Sequence, residues 1–273
     1  MKITEDKYID FLFFIFVFRK ICLSLYNVSI CDDLTAASNK HYEKEVQSQT
    51  SQWQFYFSLC YNVPALLTIG FYGSWSDQIS RKLPLFICPM GSFLMALIYL
   101  FSAIFIYSPV EYLLCAELIF GFSGGMSAFL MASFSFLSIK ARPKHRTSRI
   151  SVAHAVERFA HALAFFSSGV LLDNAGFITV YAIVLFFYSL TLVYIGFGLQ
   201  EPKKVAENAP SSEKSLCSRV VVVLGLHHLK MALQVTFKKR HGGARKYIIA
   251  VLIVCFLLAL TSGNKSAYSI VSI

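Results

Sequence analysis

Four ionisable residues lie close together in an apolar stretch of the chain. They are His154, Glu157, Arg158 and His161, and spacings of three, four and seven residues place them along one stripe of a helix. Ionisable groups within a long apolar helix are costly, so they usually line a water-filled path or pair with one another. Histidine titrates near neutral pH and can exchange a proton with a carboxyl group. Glu157 and the two histidines are therefore candidate proton carriers on the wall of a cavity.

Two other interpretations of this stripe remain open. Glu157 and His161 could form a pair that only satisfies itself. His154, Glu157 and His161 could instead hold a metal ion, but the rest of the chain offers no convincing further ligand. We therefore predict neither a metal nor another cofactor.

Glu117 is a fifth ionisable candidate. It precedes Gly121, Gly124 and Gly125, a run of small residues that suits close packing of helices. Its side chain could face a pore, or it could pair with a group in the same bundle, and the sequence favours neither alternative.

The elements that carry these residues are long apolar segments. The chain is 56% hydrophobic and 15% charged over 273 residues, and a helix needs about 20 apolar residues to cross a bilayer. An all-α, multi-pass membrane bundle follows. A doubtful additional segment, Phe11 to Phe18, stops at Arg19 and Lys20 and is too short to span by itself. The six predicted spans are Trp53 to Tyr72, Leu83 to Tyr107, Tyr112 to Leu137, Ile150 to Leu172, Phe177 to Leu199 and Tyr247 to Ser262.

The positions of lysine and arginine predict which side each loop faces. Seventeen of them fall in one set of loops and three in the other, and the basic set marks the cytoplasmic side. Residues 27–52 then face outside, where Asn27 begins a glycosylation sequon. Cys22 and Cys31 are the cysteines placed for an oxidising compartment. The net charge of +10 comes from these loops, so we predict a lipid bilayer as partner and no nucleic acid.

The basic side also contains a long segment between the last two spans. Residues 201–215 are rich in Pro, Ser, Glu and Lys and predict a linker. Residues 226–240 predict either a basic amphipathic helix on the inner leaflet or a solvated linker end. The predicted domains are residues 1–199 as one bundle, 200–245 as the linker and 246–273 as the first helix of a second bundle.

The loop between the second and third segments carries the pattern that indicates a family. It reads Gly73-Ser74-Trp75-Ser76-Asp77 and ends in Arg81-Lys82. This pattern resembles the signature loop of the major facilitator superfamily. Gly73 would allow close helix packing, Asp77 would cap or pair at a helix end, and Arg81 and Lys82 would stay in the cytoplasm. Gln78 stands where the family has a basic residue, and Ser80 where it has Gly.

Further segments narrow the resemblance to solute carrier family 46, which contains the proton-coupled folate transporter and the thymic stromal cotransporter. The similar segments are Tyr42-Glu43-Lys44-Glu45-Val46-Gln47, Val63-Pro64-Ala65, Arg146-Thr147-Ser148-Arg149 and Thr236-Phe237-Lys238-Lys239-Arg240. The resemblance implies twelve helices in two bundles, of which this chain would hold the first bundle and one further helix. The family's acidic residue in the fifth span falls on His154, with Glu157 one turn away.

The resemblance implies transport of a small organic solute, such as a folate-like anion, by proton symport in the plasma or lysosomal membrane. The alternative is a transport-incompetent half-carrier that pairs with another transporter chain as a structural or regulatory subunit. A seven-helix receptor fits poorly, because the basic loops put the N-terminus inside. An enzyme would need a nucleophile with its base, or a metal cluster, and no such arrangement is evident.

Overall fold

The computed structural model describes residues 7–34, 39–78, 80–140 and 145–199. All regular structure in those ranges is helical. The chain divides into two units, Met1–Ser211 and Ser212–Ile273, and every described residue belongs to the first. In chain order the helices are α1 (Lys7–Leu25), α2 (Val28–Asp32), α3 (Lys40–Gln78), α4 (Lys82–Ile104), α5 (Tyr112–Phe122), α6 (Gly125–Lys140) and α7 (Arg146–Val193), followed by a π-helical turn, Tyr194–Gly198.

Four helical stretches within the described ranges are long and apolar enough to cross a membrane. The fourth is interrupted at Gly176, whose φ of 72° is left-handed, so it contains the last two spans predicted before the linker. The five predicted spans between Trp53 and Leu199 all overlap these stretches. The sixth span, the linker and the amphipathic helix lie outside the described residues. The four stretches are Lys40–Gly73, Lys82–Ile104, Tyr112–Ile139 and Arg146–Gly198.

The first helix is longer than the sequence suggested. α1 has 19 residues, which at about 1.5 Å per residue is close to the ~30 Å thickness of a hydrocarbon core. The apolar run ends at Arg19 and Lys20, and α1 is not among the described helices that are apolar enough to cross a membrane. The helix nevertheless continues past these residues, because Lys20 is only 1% exposed and lies on its buried face. Its ammonium group is satisfied inside the bundle, so it need not end the helix.

Aromatic side chains join α1 to the rest of the bundle. Phe16 and Val17 of α1 and Leu113 of α5 are completely buried in one apolar cluster. The Phe16 ring lies 5.4 Å from the Tyr181 ring of α7, and the Phe13 ring lies 5.2 Å from the Tyr99 ring of α4, centroid to centroid. These contacts fix the position of α1 against both α4 and α7.

A disulfide joins α1 to α2 at the end of the bundle that was predicted to face outside. Cys22 of α1 bonds to Cys31 of α2, with 5.9 Å between their Cα atoms, as expected for cysteines in an oxidising compartment. Arg19 adds an ion pair with Asp32, at 2.8 Å between Nη2 and Oδ1. Asn27 lies in the loop that this disulfide closes, and its side chain is exposed.

The predicted span Tyr112 to Leu137 is two helices instead of one. α5 ends at Phe122 and α6 begins at Gly125, because Gly124 and Gly125 adopt φ values of +86° and +60°. Only glycine adopts such values without strain. A break in the middle of a membrane segment is tolerated where protein groups satisfy the freed backbone.

Candidate functional site

The polar stripe of α7 is present on the first segment of that helix, residues 146–175. His154 Nδ1 lies 3.1 Å from Glu157 Oε2, and their side chains are 46% and 18% exposed. The pairing differs from the Glu157–His161 pair considered from the sequence, because the (i, i+3) neighbour is in reach. His161 makes no hydrogen bond or ion pair with the described residues. Glu157 is therefore joined to His154.

The surroundings of the stripe are open on one side and packed on the other. The ring of Phe134, on α6, lies 4.2 Å from the ring of His154, centroid to centroid. Val156, Phe159 and Leu163 flank the stripe and are more than half exposed. The first segment of α7 therefore presents acid, base and cation between apolar side chains on an accessible face.

A metal site at the stripe has no support. Among residues 7–34, 39–78, 80–140 and 145–199, no group of three His, Cys, Asp or Glu side chains is arranged to hold a metal ion. The geometry of His154 and Glu157 suits proton exchange between an imidazole nitrogen and a carboxylate oxygen.

Glu117 has a partner within the bundle. The Tyr99 hydroxyl of α4 donates a short hydrogen bond to Glu117 Oε1 on α5. The ring of Tyr181, on α7, lies 5.7 Å from the Tyr99 ring, and its buried hydroxyl has no hydrogen-bond partner among the described residues. Of the two alternatives left open for Glu117, the structure has the partner in the same bundle.

The two basic residues that end the signature loop each donate a hydrogen bond to another helix. Arg81 Nη1 donates to Ser135 Oγ on α6 at 2.6 Å, and Lys82 Nζ donates to the Gly196 carbonyl at 2.6 Å. A cation at the C-terminal end of a helix is favoured by the partial negative charge there. Arg81 and Lys82 therefore connect the start of α4 to α6 and to the end of the last described helix.

The close helix packing expected of Gly73 stays a prediction, and other glycines make such contacts. A Cβ atom on Gly73 would meet no atom of the described residues within 4 Å. A Cβ on Gly121 would lie 2.6 Å from the Tyr61 carbonyl oxygen of α3, and one on Gly91 would lie 2.2 Å from Ser123 Cβ. We call the contacts of Gly91, Gly121, Gly124 and Gly125 the glycine seam. The side chain of Asp77 lies outside the described residues.

A side-chain hydroxyl and a backbone N–H satisfy the broken backbone at the glycine seam. The Tyr72 hydroxyl donates to the Phe122 carbonyl at 3.0 Å, and the Gly124 N–H donates to the Gly121 carbonyl at 2.9 Å. The adjacent Gly124-Gly125 pair is a signal in the sequence that could have predicted the break. Because α6 carries Ser135, the break separates the helix half tied to Arg81 from α5.

Comparison with known proteins identifies the family of this chain. The sequence model of the Major Facilitator Superfamily matches residues 13–272. The lysosomal proton-coupled steroid conjugate and bile acid symporter SLC46A3 of Gallus gallus is 26% identical over 271 residues, 93% of this chain and 56% of that protein.

Two further relatives are also proton-coupled transporters by name and are likewise matched over about half of their length. SLC46A3 of Homo sapiens is 24% identical over 228 residues, 83% of this chain and 48% of that protein. The proton-coupled folate transporter of Bos taurus is 22% identical over 215 residues, 79% of this chain and 44% of that protein. The chain thus spans about half the length of the curated relatives it matches.

Proposed function

Because this chain belongs to the major facilitator superfamily, a family of transporters and not of enzymes, we propose that it takes part in the transport of a small organic anion by proton symport. It is a multi-pass membrane protein related to proton-coupled symporters. The finer proposal is that protons enter the transport cycle on the stripe of α7.

The His154–Glu157 contact is the observation that carries this proposal. One proton shared between Nδ1 and Oε2 makes the pair neutral overall, and its loss leaves one negative charge. Arg158 follows in the sequence and adds a positive charge to the stripe. The stripe therefore attracts an anion more strongly when the pair holds its proton, which is what symport of a proton and an anion requires.

The proposed class of solute follows from the same charges and from the relatives. Two of them are named for steroid conjugates and bile acids, and one for folate. Bile acids and folate carry carboxyl groups on large, partly apolar bodies. The apolar residues that flank the stripe, such as Val156 and Phe159, suit such a body. We propose the lysosomal or the plasma membrane as the location.

The hydrogen bonds of Arg81 and Lys82 suggest how the signature loop could take part in alternating access. Movement of one bundle against the other must make and break contacts at the cytoplasmic end. The Arg81–Ser135 and Lys82–Gly196 hydrogen bonds both lie within the first unit, at the end predicted to be cytoplasmic. We propose that these two hydrogen bonds keep that end of the first bundle together as it moves, and that the break at Gly124 allows α6 to follow the loop.

Uptake by proteoliposomes tests the proposal. The full chain is reconstituted, and radiolabelled steroid sulfate or folate is supplied with and without an inward proton gradient. We expect gradient-driven accumulation by the wild type and a loss of about tenfold or more in Glu157→Gln, within the usual range of coupling between two ligands. Glu45→Gln, the same change at the outer end, should accumulate as the wild type does. Equal accumulation with and without the gradient would contradict symport.

A second candidate function, a subunit that pairs with another transporter chain, is favoured by the exposed apolar side chains beside the stripe. Phe159 is 66% exposed, and a surface of this kind suits a protein neighbour as well as lipid or solute. Crosslinking from Phe159→Cys in cells distinguishes the two. A crosslinked transporter chain, together with no uptake by the purified chain, would support the subunit; uptake by the purified chain would exclude it.

A further inference from the structure

We propose that the outer end of the bundle contains a second site, which binds the anionic headgroup of a membrane lipid through Lys20 and two serine hydroxyls. This site is separate from the α7 stripe, and neither the signature loop nor the proton pair takes part in it. Its components are α1, the end of α4 and the turn before α5.

Lys20 is a buried cation with neutral partners only. Its Nζ donates to Ser102 Oγ at 2.6 Å and to Ser108 Oγ at 2.8 Å, with a longer contact of 3.4 Å to the Ser102 carbonyl. The Phe16 ring centroid lies 5.8 Å from Nζ. Within the described residues, no carboxylate pairs with Lys20. A buried charge without a counter-charge is costly, and an anion placed nearby would reduce that cost.

The two serines connect Lys20 to an open cleft. Ser102 and Ser108 both line a cleft of about 370 Å³ between α4 and α5, a volume in the range of small-ligand sites. Each hydroxyl accepts a hydrogen bond from the ammonium group and keeps its own O–H to donate. Donation by a hydroxyl that already accepts from a cation is strengthened. Ser102 is only 4% exposed, whereas Ser108 is partly exposed, so the Ser108 hydroxyl is the one that presents this positive end to the cleft, and Lys20 stays buried.

The walls of the cleft are apolar, which selects an amphiphile over a small ion. Besides the two serines, the lining consists of Ile98, Phe101, Phe105, Tyr112 and Cys115. Phe101, Phe105 and Tyr112 are more than half exposed, so the cleft opens to the side, where lipid surrounds a membrane helix. Aromatic residues at a helix end are typical of the membrane interface. An anionic lipid would place its headgroup at the serines and its acyl chain along Phe101 and Phe105. It would therefore match both the polar and the apolar part of the cleft.

The test uses the full chain in detergent, with lipid binding measured by native mass spectrometry. Phosphatidylglycerol and phosphatidylcholine with the same acyl chains are the probes, and the variants are Lys20→Met and Arg19→Gln. Lys20→Met removes the buried charge and leaves a chain of similar length, which buried sites often tolerate. Arg19→Gln removes a neighbouring positive charge that lies outside the cleft. Wild type and Arg19→Gln should prefer phosphatidylglycerol, and Lys20→Met should lose about tenfold in its affinity.

Several outcomes decide the proposal. Equal binding of the two lipids by the wild-type chain would overturn it without any variant. Loss of the preference in Arg19→Gln but not in Lys20→Met would also overturn it. Ser108→Ala, which keeps Lys20 and one hydroxyl, should weaken phosphatidylglycerol binding if Lys20→Met fails to fold. Displacement of the lipid by inorganic phosphate alone would overturn the lipid assignment and indicate a site for small anions.

Discussion

The glycine seam and the stripe of α7 differ in how their polar groups are bonded and exposed. At the seam, the Phe122 carbonyl accepts a hydrogen bond from Tyr72, the Gly121 carbonyl accepts one from the Gly124 N–H, and glycines allow the helices to touch. On the stripe, His154 and Glu157 bond to each other on an accessible face, beside exposed apolar residues. The difference indicates that seam residues hold the bundle together, whereas stripe residues are available to a solute or a proton.

The largest expected effect is a loss of stability when a glycine of the seam is replaced, compared with the same replacement on α7. Gly121→Ala should destabilise the bundle by about 3 kcal/mol, because the new Cβ meets the Tyr61 carbonyl and neither backbone can yield. Gly169→Ala on α7 is the matched control, since a Cβ there meets no atom of the described residues within 4 Å. It should be neutral or stabilising by up to about 1 kcal/mol. Thermal unfolding followed by circular dichroism measures both, and equal unfolding temperatures would remove the distinction.

A smaller effect is expected at Glu117, which resembles the seam and not the stripe. Tyr99→Phe removes the hydroxyl that donates to the Glu117 carboxylate. A hydrogen bond to a charged group contributes about 2 kcal/mol, so the unfolding temperature should fall. Tyr107→Phe, at a residue that is 75% exposed, should change stability by less than about 0.5 kcal/mol. If Tyr99→Phe leaves stability unchanged but impairs uptake, Glu117 belongs with the stripe.

The smallest effect concerns the end of the bundle that the basic loops predict to face outside, away from both regions. The Tyr26 hydroxyl donates to Glu45 Oε2 at 2.5 Å, and this hydrogen bond raises the pKa of Tyr26 from 10.0 to about 12. The contribution to stability is therefore complete below pH 10 and is lost as the pH rises through about 12. Difference absorbance between the wild type and Tyr26→Phe reports this titration. With Glu45→Gln the pKa should return towards 10.0; an unchanged pKa would exclude Glu45 as the cause.

The sequence predicted the apolar helices well but not the groups that interrupt them. Hydropathy located the spans between Trp53 and Leu199, yet it could not show that α3 begins at Lys40, because helical hydrogen bonding continues beyond the apolar part. It treated Lys20 as the end of a segment, because the two serines that satisfy it are 82 and 88 residues further along the chain.

The sequence proposed the members of the candidate site, and their role stays a prediction, but it did not predict the pairing that the structure shows. Helical spacing placed His154, Glu157, Arg158 and His161 on one stripe, as the structure has them. The choice between a Glu157–His154 and a Glu157–His161 contact depends on side-chain rotamers and on the packing of Phe134 against His154. The partner of Glu117 was also unpredictable, because it lies on a different helix.

Proton movement in sealed proteoliposomes tests the central claim most directly. Vesicles containing the full chain and a trapped pH-sensitive dye receive an organic anion, such as a steroid sulfate, without an imposed gradient. If the His154–Glu157 pair carries the proton, the anion should acidify the interior with wild-type protein and not with Glu157→Gln, while Glu45→Gln behaves as the wild type. Equal acidification by the wild type and Glu157→Gln would contradict the account.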